Sequence, residues 1–482
     1  MPRRSDKHDE RAKKLEFDDF SGGEVYGIAA ESLQKNEAQV LRNFEYDIIT
    51  GHPRSALPYE EFCDVGATIN DVFADENLDY FLAVCGTGLK KIPLSTGQAT
   101  DIEGTLTGNK APTFAVWDQN PIKVLIASGK ELQIYNGSVL SKNEDSPDCD
   151  IVFVRGTAGR VVTARSGYDA LVYSAVGDCE SSSAFTDDPN DDSTSKEIEV
   201  GYKDSGDIVA VLPMASDLVV FKSSGGIYRI VGEYPDWALK ETLSKVPLVA
   251  RDAALRVGND VIYLSPSGIR SLEVVAEYGD MLQKTVSEKV DRHFASITNS
   301  GARIWHLPSR GQVAINPNGS STVWLLHLSA NKAWSHFNFG GNITKIFEHN
   351  KVVYMVSGTK IYRQTTPTSQ TMPVRSVMKL KRTVFDNDVV LKRVVMNIQP
   401  FHDATGSLMV AGLSIPFITG AGGDVAYSDT DIAYSDTDPL YVMGEKLATK
   451  PCNIRTKILE PELVVTSGVV SVRKITLYYA EG

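Results

Sequence analysis

Long apolar runs are missing from this 482-residue sequence. No stretch approaches the roughly 20 apolar residues that a bilayer-spanning helix needs, so a transmembrane helix is not expected. The opening stretch, Met1 to Lys14, is charged where a secretory leader would carry an apolar segment, so no leader is expected either. Cysteine is scarce. Cys63, Cys85, Cys149, Cys179 and Cys452 are odd in number and no pair has a CxxC spacing, so neither a disulfide framework nor a zinc site is indicated and buried free thiols are expected. Positive charge is in deficit too. The net charge of −12 argues against a general nucleic-acid-binding surface, which releases counterions through basic patches. It leaves open an acidic channel through which nucleic acid passes without sticking.

Catalytic signatures are equally absent. Neither HExxH nor GxSxG occurs, and the eight histidines are dispersed. His306, His327, His336 and His349 fall in one region, where strand-face or turn positions explain them better than ligation or catalysis. Asp188, Asn190, Asp192 and Glu199 match positions one, three, five and twelve of a calcium-binding loop. The glycine expected at position six is Ser193, and no flanking helices are evident, so a solvated turn-rich loop is the better reading. Two Asp-Thr-Asp segments, at 429–431 and 436–438, belong to a tandem copy of Ala-Tyr-Ser-Asp-Thr-Asp and read as twin turns. No catalytic residue, cofactor site or metal site is assigned, and an enzyme is not expected.

What the sequence does contain is a repeated phrase. A strand of about four apolar residues is followed by a Gly/Ser turn and then by a second strand with Ile or Leu near its start. It occurs at Phe81–Val84 with Leu89–Ile92, at Val124–Ala127 with Leu132–Tyr135, and at Leu218–Phe221 with Ile227–Ile230. Further copies are Val261–Leu264 with Ile269–Leu272, and Val352–Met355 with Ile361–Arg363. The first strands start at 81, 124, 218, 261 and 352, giving two intervals of 43 and two of about double that, 94 and 91. A hidden copy is expected in each long gap. Leu171–Ser174 stands in the first gap, and Val313–Ile315 with Val323–Leu326 in the second. A period near 45 residues of strand and turn predicts four-stranded propeller blades, six or seven in number, rather than hairpins strung through a sandwich.

The flanks lack the phrase. Residues 1–75 are expected to form an N-terminal arm and docking segment, with a Gly-Gly turn at Gly22-Gly23 and a short helix over Gln34–Arg42. The basic N-terminal stretch up to Lys14 reads as a solvated tail, with ordering on a neighbouring subunit as its functional alternative. Residues 76–370 are expected to form the propeller. Residues 371–482 are expected to form a separate, sandwich-like β domain containing Val377–Leu380, Val389–Ile398, Ile454–Ile458 and Val469–Tyr479. The expected fold is therefore all-β.

The order of the phrases resembles the tail nozzle, or tail-stabilisation, proteins of short-tailed bacteriophages. It runs through Phe20-Ser21-Gly22-Gly23, Leu33, Asn36-Glu37, Asn43, Gly51 and Arg54, and then Arg160-Val161-Val162 with Leu171–Ser174 and Gly177-Asp178. Asp207–Gly232, Leu264–Ile269, Trp324–Leu328 and Ala333-Trp334-Ser335 follow. It covers roughly residues 17–365 and none of the C-terminal domain. The resemblance implies a virion structural protein assembled in the host cytoplasm: a homohexameric tail ring below portal and adaptor proteins that extends the DNA channel and helps retain and eject the genome. Tail fibre or spike proteins are further expected partners. The alternatives are a propeller lectin or glycan-degrading enzyme of a virion, and a peptide-binding propeller scaffold.

Overall fold

The computed structural model describes all residues except 1–11, 119, 156–158, 202–205, 215–216, 242–244, 276–279, 295–300, 369–370, 373, 421–439, 444–446 and 482. The described chain is all-β, with a single α-helical turn at Asp291–Phe294 and two short 3-10 turns. No helix among the described residues is long and apolar enough to cross a membrane.

Each repeated phrase is the second and third strand of a four-stranded antiparallel blade. In the first blade, Tyr80–Cys85 and Gly88–Pro93 pair tightly, with Asp71–Phe73 inside and Thr100–Asp101 outside. The next blades are built from Thr113–Trp117 to Leu140–Lys142, Ile151–Arg155 to Lys196–Glu199, Ile208–Pro213 to Ala238–Glu241, and Ala254–Val257 to Asp280–Thr285. A blade buries both faces against its neighbours, which is why second strands such as Val124–Ala127 and Asp217–Lys222 are buried along their length rather than alternating. The turn between the paired strands takes a positive φ. At Gly268 (φ +114°) a Cβ would also fall 2.7 Å from both Ser287 Oγ and Asp291 Oδ1, so only glycine fits.

The hidden copies are present, one in a different register. Leu171–Tyr173 belongs to a third strand, and its partner second strand is Arg160–Ala164. In the other gap, Arg303–Leu307, Gln312–Asn316, Thr322–His327 and Ala333–Asn338 form a four-stranded sector fused to a larger sheet. The wheel thus has six free-standing four-stranded blades and this seventh, shared sector.

The last blade closes the ring with a borrowed strand. Lys345–His349, Val352–Ser357 and Lys360–Gln364 are completed on the outside by Tyr59–Asp64. Phe347, Tyr354, Val356 and Ile361 of this blade pack on Phe81, Ala83 and Ile92 of the first. The wheel therefore begins inside the segment read as a docking arm, since Tyr59–Asp64 and Asp71–Phe73 both precede residue 76.

The flanks share one strongly curled, half-barrel sheet of fifteen strands. Its path runs from the shared sector through Glu37–Arg42 and Ser376–Leu380 to Glu462–Glu481 and then Thr383–Val410. Lys13–Phe17 pairs with Ile475–Tyr479, so Lys13 and Lys14 lie on a strand rather than in a tail. The helix expected over Gln34–Arg42 is instead the strand Glu37–Arg42, which pairs with Ser376–Leu380. The C-terminal residues thus form this curled sheet together with the N-terminal segment, in place of a separate sandwich-like domain. Its concave core holds Phe17, Phe20, Phe44 and Tyr46 against Leu391, Met396, Phe417, Val472 and Leu477.

Candidate functional site

Two cavities gather polar side chains. The first lies on the wheel axis, where the inner strands begin. It measures about 310 Å³ and draws residues from all seven sectors. Lys345 Nζ pairs with Asp71 Oδ1 at 2.9 Å, and Arg251 Nε with Asp252 Oδ1 at 2.9 Å. Arg251 also donates to the carbonyls of Ala111 (2.8 Å) and Asp150 (3.0 Å), tying three blades together. Arg303 donates to the Thr344 carbonyl at 3.0 Å. Burial opposes ionisation of Asp252, but Arg251, Arg303 and Lys345 outweigh it and hold its carboxyl below the ordinary range. Phe73 and Phe114 stack at 5.0 Å between centroids, and with Trp305 and Leu212 they supply apolar wall.

The second cavity, about 490 Å³, sits where the N-terminal segment meets the shared sector. Tyr26, His293, Trp324 and His336 form a ladder of rings with successive centroids at 3.8, 4.3 and 5.3 Å. It ends on the buried Glu24 carboxylate, whose Oε2 accepts from Leu41 N (2.9 Å) and lies 2.8 Å from His336 Nδ1. Burial chiefly, with His336 adding and Glu24 opposing, pushes the His293 imidazole down from its usual value. The ladder joins the N-terminal segment to the shared sector.

The histidines singled out in the sequence do not converge. His306 and His349 lie on other strands, the latter against Asn350 and Phe81. His327 and His336 occupy adjacent strands but point to opposite faces, toward Ser335 and Glu24 respectively. The His327–Ser335 pair, at 2.7 Å between Nε2 and Oγ, has the composition of a nucleophilic dyad. Both residues are wholly buried, however, and Ser335 donates to the Phe44 carbonyl at 2.8 Å. Burial pushes His327 down to about 4, against the pull of Glu45. A neutral, solvent-excluded imidazole whose serine partner is spent on a carbonyl fastens strands and cannot activate a nucleophile.

The loop matched to calcium coordination is organised by the chain's own cations. Arg160 donates to the carbonyls of Ser174 (2.6 Å), Thr194 (2.7 Å) and Asp192, while Lys196 Nζ reaches Asp187 Oδ1 (2.6 Å) and the Asp188 carbonyl (2.7 Å). Asp188 Oδ1 bonds Asn190, Asp192 Oδ1 bonds Tyr234, and Glu199 pairs with Ala170 on an outer strand. Among the described residues no group of three His, Cys, Asp or Glu side chains converges as a metal site. The 429–431 and 436–438 segments lie outside the described residues. Millimolar calcium is accordingly expected to leave the melting temperature unchanged. Arg160→Met, which strips three carbonyls of their donor, is expected to cost about 1–3 kcal/mol in denaturant titration.

Neither cavity was visible in the sequence. The axial residues come one to three from each sector, with no local motif to announce them.

Comparison with known proteins adds shape alone. No protein-family model matches the chain, and no curated protein matches it. Among solved structures, the chain is similar to the β-propeller domain of Cps50 (Swd1) from Myceliophteria thermophila. That match has 10% identity and a TM-score of 0.43, covering 62% of this chain and 97% of that one. It is also similar to YCF48 from Cyanidioschyzon merolae (12% identity, TM-score 0.41, 64% and 98% covered) and to U3-55K (9%, 0.44, 64% and 98%).

Proposed function

We propose that this protein is a structural assembly subunit that packs side by side into a ring, a virion component of the tail-nozzle type in short-tailed bacteriophages. The observation that carries the reading is the sheet shared by wheel and flanks. It joins wheel and flanks through continuous strand pairing, which suits a rigid annulus. The order of sequence phrases supports the same reading. A ring also needs exposed apolar contact points. Ile49 is 93% exposed at a loop tip next to the half-exposed Ile48, and Phe401 lies nearby under Arg54, which is bonded to the same loop through Asp47. Exposed apolar side chains grouped in this way suit a protein contact.

Electron microscopy of concentrated protein, alone and with its adaptor ring, tests the proposal. Six-fold annular particles are expected. Ile49→Asp is expected to abolish them while leaving the melting temperature unchanged. Particles that never form with either preparation, or polysaccharide cleavage by a monomeric disc, would overturn it.

A further inference from the structure

We infer that the axial cavity is a binding site for a carboxylate group, either the side chain of an acidic residue on a partner polypeptide or a small organic acid. The chain carries a net charge of −12, yet three cations, Arg251, Arg303 and Lys345, are gathered at the axis. Two of them face a carboxylate each, Asp252 and Asp71, at 2.9 Å. Asp150 stands behind Arg251 at 3.9 Å, with its carboxylate already held by the Ser166 amide and hydroxyl. Arg303 is different. Its guanidinium bonds backbone carbonyls of Thr344 and Asn70 through one nitrogen, Nη1, at 3.0 and 3.4 Å. Its charge helps hold Asp252 below the ordinary range, but no carboxylate among the described residues forms an ion pair with it within 4.0 Å.

Arg303 lines a cavity of about 310 Å³, and a guanidinium offers N–H donors that match the two oxygens of a carboxylate. Asp71 and Asp252 on the same wall repel a doubly charged phosphate more strongly than a single negative charge. Phe73, Phe114, Trp305 and Leu212 then cover the methylenes that lead to the carboxylate. The cavity opens where all the inner strands begin, a face that a protruding loop can enter.

Calorimetric titration of the full-length protein separates the possibilities, using three probes: glutarate, inorganic phosphate, and the capped pentapeptide Ala-Ala-Glu-Ala-Ala with its glutamine counterpart. Saturable binding of the glutamate peptide or of glutarate is expected, at about millimolar affinity or tighter. Tighter peptide binding assigns the site to a polypeptide, and tighter glutarate binding to a small acid. Arg303→Gln is expected to weaken either by at least about tenfold, the loss typical of a charge-assisted pair. Lys142→Gln, a charge removed from an exposed strand elsewhere, is expected to change nothing. Should Arg303→Gln fail to fold, hydrogen exchange of the wild type supplies the test, since the bound peptide must slow exchange at the starts of the inner strands near Asp71, Thr113 and Arg303. Equal binding of the glutamine peptide, a preference for phosphate, unchanged affinity in a folded Arg303→Gln, or no saturation at about ten millimolar would each overturn the inference.

Discussion

Removing residues 1–64 is expected to unfold the protein rather than trim an appendage. The deleted segment contains Tyr59–Asp64, the outer strand of the last blade, and without it Lys360–Gln364 becomes an open edge where the ring closes. It also contains Phe17, Phe20, Leu33, Leu41, Phe44, Tyr46 and Tyr59, each no more than 5% exposed. At about 1.5–3 kcal/mol for each large apolar side chain buried, their loss amounts to roughly 10–20 kcal/mol, as much as the whole stability of a typical domain. The truncated chain should therefore show no cooperative thermal transition by circular dichroism. A sharp transition near that of the intact protein would mean that the wheel stands without its borrowed strand.

The second large effect centres on one carboxylate. Glu45 is 5% exposed and lies between Arg54 and Arg310, at 2.9 and 3.1 Å, so it clamps the N-terminal segment to the shared sector of the wheel. Glu45→Ala leaves the largely buried Arg310 guanidinium without its counter-charge and Arg54 with only Asp47, at 3.7 Å, and removing one partner of a buried pair costs about 3–5 kcal/mol. Burial by itself would raise the carboxyl, but Arg310 and Arg54 outweigh it and hold Glu45 below its ordinary value of 4.5. A group whose folded value is depressed contributes stability that is complete above its unfolded value and is lost as pH falls through the folded one. The wild type should lose this contribution as pH drops below 4.5, whereas Glu45→Ala should lack that part of the acid dependence. Denaturant titrations of both proteins at a series of pH values between neutrality and that range measure it.

The second strands of the blades were legible because they are buried on both faces, and the third strands because a glycine turn joins them to the second and they bury Ile or Leu near their start, as in Tyr80–Cys85 with Gly88–Pro93. The inner and outer strands were not. Asp71–Phe73 is three residues long, and Ala238–Glu241 is exposed throughout, so neither carries a hydrophobic signature. Tyr59–Asp64 reads Tyr-Glu-Glu-Phe-Cys-Asp, and its pairing partner lies some 300 residues away, as the Arg363–Glu60 contact shows. Nothing local could have joined the two. The curled sheet was hidden by its bulges. Register shifts at Leu391/Arg393, Asn397/Ile398 and Pro400/His402 interrupt the alternation along Thr383–Val410, so one 28-residue strand looked like a shorter segment. The axial cavity was illegible for a topological reason, because Asp71, Arg251, Arg303 and Lys345 meet only once the ring has closed.

Hydrogen exchange of the intact protein followed peptide by peptide is the most direct test that wheel and flanks form one closed, rigid body. Amides of Tyr59–Asp64 should exchange as slowly as those of Val352–Ser357, and Glu37–Arg42 and Ser376–Leu380 should lose protection in the same cooperative step. Rapid exchange at Tyr59–Asp64 beside slowly exchanging neighbours, or separate opening of the C-terminal strands, would contradict it.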